Sequence, residues 1–318
     1  MGASGLGTRD IIGSFYHALD TAMKTDWIGK VGMLISSDQA SETYKWLGQT
    51  PAFREWLGSR NAIVPREMGQ TIINKLWEAT LGIKIDDFRR DKTGQIQIRI
   101  NEMAKRAANF WRARLLTYLL AGKSATKGLC YDGQYYFDID HSEGKSGTQL
   151  NLLAAAQVSA LNVTTVAAPT AAEAVQAILG VIGYMLGYKD DQGEYINEDA
   201  SQFLVMCGTG LMGPFQAAIN NPNVDSGQTN TIRSMKGDLE ITLATSPRLS
   251  SWTDQFMVFR TDGSAKAMIM QEETGVEMEV LGPGSEHAFK NNEYLFGAKF
   301  SGEAGFGLWQ YAAHATLS

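Results

Sequence analysis

The stretch Trp77-Glu78-Ala79-Thr80-Leu81-Gly82-Ile83-Lys84-Ile85 decides the reading of this chain. Its odd positions carry Trp, Ala, Leu, Ile and Ile and its even ones Glu, Thr, Gly and Lys, a period of two that predicts a strand with one buried face. Upstream, Gly69-Gln70-Thr71-Ile72-Ile73-Asn74-Lys75 continues the extended pattern past Pro65, so residues 46–85 read as a long two-stranded ribbon with a polar tip. Such a ribbon is marginal alone in water, so it must lie on something. Downstream, past Asp86-Asp87-Phe88, the residues Ile100, Ala104, Ala108, Trp111, Leu115 and Leu119 recur every three or four positions. They predict a helix from about 98 to 120, roughly 30 Å long, with Lys105, Arg106, Arg112 and Arg114 on its flank.

Further from this centre the two kinds of pattern alternate. Thr8 caps an amphipathic helix through Ile11, Ile12, Phe15, Leu19, Ala22 and Met23. A second helix is predicted over 171–186 and a short one over 214–219. Strands are predicted over 203–207, 239–244, 255–260, 267–271, 276–280 and 308–315. The mixture predicts an α+β fold.

With 318 residues, 44% of them hydrophobic, the chain carries enough apolar material for more than one core, which excludes a disordered or disulfide-stapled peptide. Lys and Arg number 28 against 34 Asp and Glu, a formal charge of −6, the wrong sign for gripping nucleic acid over the whole surface. Two cysteines, Cys130 and Cys207, are too few for a disulfide framework. The opening residues have no leader or lipidation pattern, and the longest apolar run, 174–188, is shorter than the roughly 20 residues of a membrane span. The expectation is a protein that folds in the cytoplasm.

Two motifs invite chemistry. Gly208-Thr209-Gly210-Leu211-Met212-Gly213 matches the dinucleotide fingerprint and lies between a predicted strand and helix, but Asn220-Asn221-Pro222 cuts that helix short and the acidic candidate Asp225 sits in a turn. Asp138-x-Asp140-His141 could offer ligands to a divalent ion, though no second cluster completes a shell. No triad, dyad or phosphate loop is present, so no catalytic residue, metal or cofactor is expected.

Several separated blocks resemble the major head subunits of phage Mu and its relatives. They are Thr43-Tyr44-Lys45-Trp46-Leu47-Gly48, Arg54-Glu55-Trp56-Leu57-Gly58-Ser59-Arg60, Glu78-Ala79-Thr80-Leu81-Gly82-Ile83, and Cys130-Tyr131-Asp132-Gly133-Gln134-Tyr135-Tyr136-Phe137-Asp138 with His141. Asn292-Glu293-Tyr294-Leu295-Phe296-Gly297-Ala298 and Ala304-Gly305-Phe306-Gly307-Leu308-Trp309-Gln310 add to them. The resemblance implies a Hong Kong 97-like capsid fold: an N-terminal arm (1–45), an extended loop (46–85), a peripheral domain (86–165 and 255–318) with a spine helix at about 98–120, and an axial domain (166–254). It implies a major capsid protein of a tailed bacteriophage that assembles with itself into pentamers and hexamers of an icosahedral shell around double-stranded DNA. Portal, scaffold or protease proteins and a decoration protein would be partners, the virion its location and the host cytoplasm its place of assembly. Arg54, Trp56, Arg60 and Trp77 are expected at subunit contacts, because Arg and aromatics anchor interfaces. The alternative for the tryptophans is packing within their own subunit. The alternatives for the chain are a dinucleotide-binding enzyme using Gly208–Gly213, or another structural protein of the same particle.

Overall fold

A computed structural model describes residues 8–23, 27–45, 47, 69–91, 94–224 and 227–318. In chain order its elements are α1 (Thr8–Met23), α2 (Ile28–Val31), β1 (Gly32–Ser36), β2 (Ser41–Tyr44), β3 (Gln70–Ile73), β4 (Leu76–Lys84), α3 (Ile85–Arg90), α4 (Gln95–Ala108), α5 (Phe110–Leu120), β5 (His141–Ser142), β6 (Thr148–Gln149), β7 (Leu152–Leu153), α6 (Ala171–Leu186), β8 (Gln202–Cys207), α7 (Met212–Asn220), α8 (Thr231–Ser234), β9 (Glu240–Thr245), β10 (Gln255–Arg260), β11 (Met268–Leu281), α9 (Glu286–Asn291), β12 (Glu293–Phe306) and β13 (Ala312–Thr316).

Two larger sheets organise them. One has the order β1-β11-β12-β4, with β1 parallel to β11 and the other pairs antiparallel. The other has the order β7-β13-β10-β8-β9, antiparallel through its centre with parallel pairs at both edges. The alternating stretch is β4, and its period survives: Ile83 is buried and Trp77 and Leu81 are half-buried, whereas Glu78, Thr80, Gly82 and Lys84 are exposed. In the five-stranded sheet, Phe203 to Cys207 of β8 and Phe256 to Arg260 of β10 are buried without interruption, as strands covered on both faces must be. α6 and α7 pack on this sheet, and α6 is opened by a capping box in which Thr170 and Glu173 exchange hydrogen bonds.

The cores divide in the same way. One runs beneath both sheets and includes Trp111, Leu115, Tyr136, Val205, Phe256 and Trp309; a smaller one joins Ile11 and Phe15 of α1 to Ile96, Ile100 and Met103 of α4 and to Ile83, Tyr294 and Phe296 of the four-stranded sheet.

Four expectations are corrected. The segment 46–85 is not one ribbon: β2 pairs with β3, but β4 pairs with β12, because its apolar face is buried on its own subunit's sheet. Residues 46 and 48–68 lie outside the described residues. The helix expected over 98–120 is two helices meeting at Asn109, because the apolar stripe of α4 faces the smaller core while Trp111, Leu115, Leu116 and Leu119 of α5 face the larger one. The expected boundary at 254/255 falls inside one sheet, since β10 and β13 pair with strands from both sides of it. The strands expected over 267–271 and 276–280 are a single strand, β11, with register shifts between Glu272 and Glu277.

Candidate assembly surfaces

Of the four residues expected at subunit contacts, Arg54, Trp56 and Arg60 lie outside the described residues. Trp77 is described, and its partners belong to its own chain. Its Nε1–H donates to the Gly302 carbonyl at 3.0 Å, its ring meets Phe110 edge-on at 5.2 Å, and the Arg114 guanidinium lies 4.7 Å from its ring centre. The basic flank of the long helix dissolves similarly. Arg114 turns inward to Glu303, and Lys105 pairs with Glu102 at 2.8 Å.

Exposed ground lies elsewhere. The four-stranded sheet carries α1 and α4 on one face, and on its other face Glu78, Lys299 and Glu277 stand in register across three strands. Lys299 Nζ lies 2.6 Å from Glu279 and 3.3 Å from Glu277, and the hydrogen bond to Glu279 holds its ammonium above the usual lysine range. Among the described residues no strand pairs with the outer edge of β4 or with the outer edge of β11 beyond Glu272. Large apolar side chains stand beside these edges: Leu76 is 74% exposed and Phe289, at the tip of the β11–β12 hairpin, 92%. Unpaired strand edges with apolar neighbours are where another chain docks.

The two chemical motifs have structural explanations. A Cβ on Gly208 would overlap the Leu249 carbonyl, so this glycine is set by a close approach of its own backbone. The N-terminus of α7 offers an anion little: the Met212 N–H is taken by the Thr209 carbonyl, Pro214 has no N–H, and Leu211 and Phe215 are buried. Asp225 lies outside the described residues. At the second motif, His141 is stacked on Trp309 at 4.1 Å, and its nitrogens lie 2.6 Å from Asp132 Oδ2 and 3.2 Å from Asn151 Oδ1. Asp138 accepts hydrogen bonds from the Tyr135 and Ile139 amides, so its carboxylate does not converge with the imidazole. No cluster of three metal-ligating groups occurs among the described residues. Burial pushes both thiols up, Cys207 to about 12, which leaves neither suited to act as a nucleophile. No helix of the described residues is long and apolar enough to cross a membrane.

Sequence reasoning missed the partner that makes β4 a sheet strand, β12, although the blocks Asn292–Ala298 and Ala304–Gln310 had marked it. Its alternation of Tyr294, Phe296, Ala298 and Phe300 with Glu293, Leu295, Gly297 and Lys299 was the available signal.

Comparison with known proteins gives these surfaces a context. Residues 10–167 and 240–317 match the model of the Mu-like prophage major head subunit gpT family. The chain is 36% identical over 115 residues to the Mu-like prophage FluMu major head subunit of Haemophilus influenzae, a match covering 36% of each chain. It is 38% identical over 112 residues to the major capsid protein of Escherichia phage Mu, covering 35% of this chain and 36% of that one. These matches therefore span about a third of the curated relatives. Among solved structures it resembles the procapsid of bacteriophage JBD30, with a TM-score of 0.55 and 24% identity over 96% of this chain and 73% of that one. It also resembles the mature capsid of bacteriophage PhiM1, with a TM-score of 0.54 and 11% identity over 93% of this chain and 88% of that one. Family match and architecture agree: this α+β chain has the Hong Kong 97-like capsid fold and belongs to the Mu-like prophage major head subunit gpT family.

Proposed function

We propose that this chain is the major capsid protein of a tailed phage or prophage, a structural protein and not an enzyme, whose work is to associate with itself into pentamers and hexamers of an icosahedral shell around double-stranded DNA. The observation that carries the reading is the family match on both sides of residues 168–239, on a chain of which 96% aligns with the JBD30 procapsid. Heterologous contacts between identical subunits close into rings, and a subunit held by several neighbours gains from effective concentration. The acidic balance suits a container that holds DNA without gripping it.

Within this reading the N-terminal arm is residues 1–45 and the extended loop is 46–75, ending where β4 enters the sheet. The peripheral domain takes β4 to α5 and most of 261–307. The axial domain takes 121–260 and 308–318, around the five-stranded sheet. Arg54, Trp56, Arg60 and Trp77 remain the residues proposed to touch neighbours. Portal, scaffold or protease proteins and a decoration protein remain proposed partners, and the virion, assembled in the host cytoplasm, the proposed location. The dinucleotide-binding alternative is not favoured, since the Gly208 turn is closed by its own backbone.

Sedimentation velocity of the purified chain with the other head proteins tests the reading. Species of virus-like mass, with hundreds of copies each, are expected. A monodisperse small oligomer that never enters particles would overturn it.

A further inference from the structure

β2 and β3 pair with each other, and both are clamped by side chains of the four-stranded sheet. Gln271, fully buried on β11, touches both limbs: its Oε1 accepts from the Tyr44 hydroxyl at 2.8 Å, and its Nε2 donates to the Ile72 carbonyl at 3.2 Å and to Asn74 Oδ1 at 2.8 Å. Asn74 in turn donates through its Nδ2 to the Gln39 carbonyl at 2.7 Å, and its backbone N–H donates to the Ala40 carbonyl at 2.9 Å. One residue on, Lys75 Nζ reaches Glu303 Oε2 at 3.2 Å, and the Lys75 carbonyl accepts from the Gly302 N–H at 3.0 Å. Glu303 is buried on β12 and is also gripped by Arg114 of α5, whose Nε lies 2.8 Å from its Oε1. Between the two groups Ile72 is seated on Gly305, where a Cβ would overlap its side chain.

From this geometry we infer that Asn74 and Lys75, held by Gln271 and Glu303, are positioning residues for assembly: they fix how the paired strands β2 and β3 sit on the four-stranded sheet. The inference rests on the capsid reading above. Three physical points support it. A carboxylate inside a protein is costly unless paired, and Glu303 is paired with a cation from α5 and with a second from the bend between β3 and β4. Gln271 has its carbonyl and its amide engaged by opposite limbs, so one rigid side chain measures their separation. Burial raises the Tyr44 hydroxyl to about 12, which keeps it a donor across the working range. The core beneath feels little of a change here, because Lys75 is itself exposed.

The test compares the wild-type chain with the double variant Asn74→Ala/Lys75→Met and the single conservative variant Lys75→Arg. Amide hydrogen exchange on the unassembled subunit reads the clamp directly. The double variant should exchange at least tenfold faster at 41–44 and 70–74, with 203–207 and 256–260 unchanged, and Lys75→Arg should stay near wild type. In assembly the double variant should need at least tenfold more protein to form particles, with a thermal midpoint near that of the wild type, and Lys75→Arg should restore assembly. Unchanged exchange at 41–44 and 70–74, or assembly at the wild-type concentration despite faster exchange there, would overturn the inference. A global loss of protection, extending to 203–207 and 256–260, would also overturn it, by making the contacts part of the fold. If the wild type forms no particles while the exchange pattern is as stated, the clamp stands and the capsid reading fails.

Discussion

The two main sheets are built from opposite kinds of strand. In the five-stranded sheet β8 and β10 are buried along almost their whole length, and the polar groups among them are enclosed: Arg260 is held by Asp262 at 2.7 Å, and Asn197 donates to the Met185 and Gln310 carbonyls. In the four-stranded sheet one face meets α1 and α4, while the other presents Glu78, Glu277, Glu279 and Lys299 and ends at Phe289. A sheet covered on both faces has little surface left for partners; a sheet covered on one face leaves the other to solvent. The difference teaches that burial and exposure are allotted to different strands, and substitutions should separate their effects.

The largest expected effect is in the enclosed sheet. Phe256→Ala removes a ring packed against Phe215 at 4.9 Å and should cost about 3–5 kcal/mol, read by denaturant unfolding. Next comes the turn after β8. Gly208→Ala forces a Cβ against the Leu249 carbonyl and should cost about 2–3 kcal/mol, whereas Gly210→Ala, which meets no atom nearby, should change stability by less than about 0.5 kcal/mol. Equal tolerance at both positions would contradict the closed turn.

A smaller, pH-dependent effect comes from His314 on β13. Its ring lies between Phe137 and Trp252, neither ring nitrogen has a hydrogen-bond partner, and burial, aided by the nearby Lys123, lowers its pKa to about 3. The unfolded chain takes up this proton near pH 6.5. Between those values the unfolded state binds more protons, so the contribution is complete above pH 6.5 and is lost as pH falls toward 3, about 2 kcal/mol of it by pH 5. His314→Phe should flatten that limb of the stability–pH curve; an unchanged slope would show the ring is not buried neutral. The smallest effect belongs to the open face, where Lys299→Met should leave the denaturant midpoint of the subunit unchanged, because an exposed ion pair is screened by water.

The same contrast explains what was legible in the sequence. β4 was readable because a half-buried strand writes its two faces as alternating residues, and α6 because Thr170 and Glu173 mark its start. β8 and β10 were readable as short apolar runs, but not their order in a sheet, which depends on pairings far apart in the chain. The break at Asn109 was invisible, since the apolar repeat of α4 and α5 is continuous and only the presence of two cores gives its halves different targets. At the candidate surfaces tryptophan suits an interface and a core equally, and Gly302, Phe110 and Arg114 are what Trp77 meets within its own subunit. The clamp on β2 and β3 could not be read at all: Gln271 and Glu303 are polar residues in strands, and nothing local distinguishes them from solvated ones.

The central claim, that this chain builds a shell by associating with itself, is tested most directly by cryo-electron microscopy of the purified chain together with the other head proteins. The account predicts closed particles whose five- and six-fold rings fit this subunit, with the five-stranded sheet toward the ring centres and the open face of the four-stranded sheet against neighbouring copies. Particles in which that face is bare, or no particles from protein shown to be folded, would contradict it.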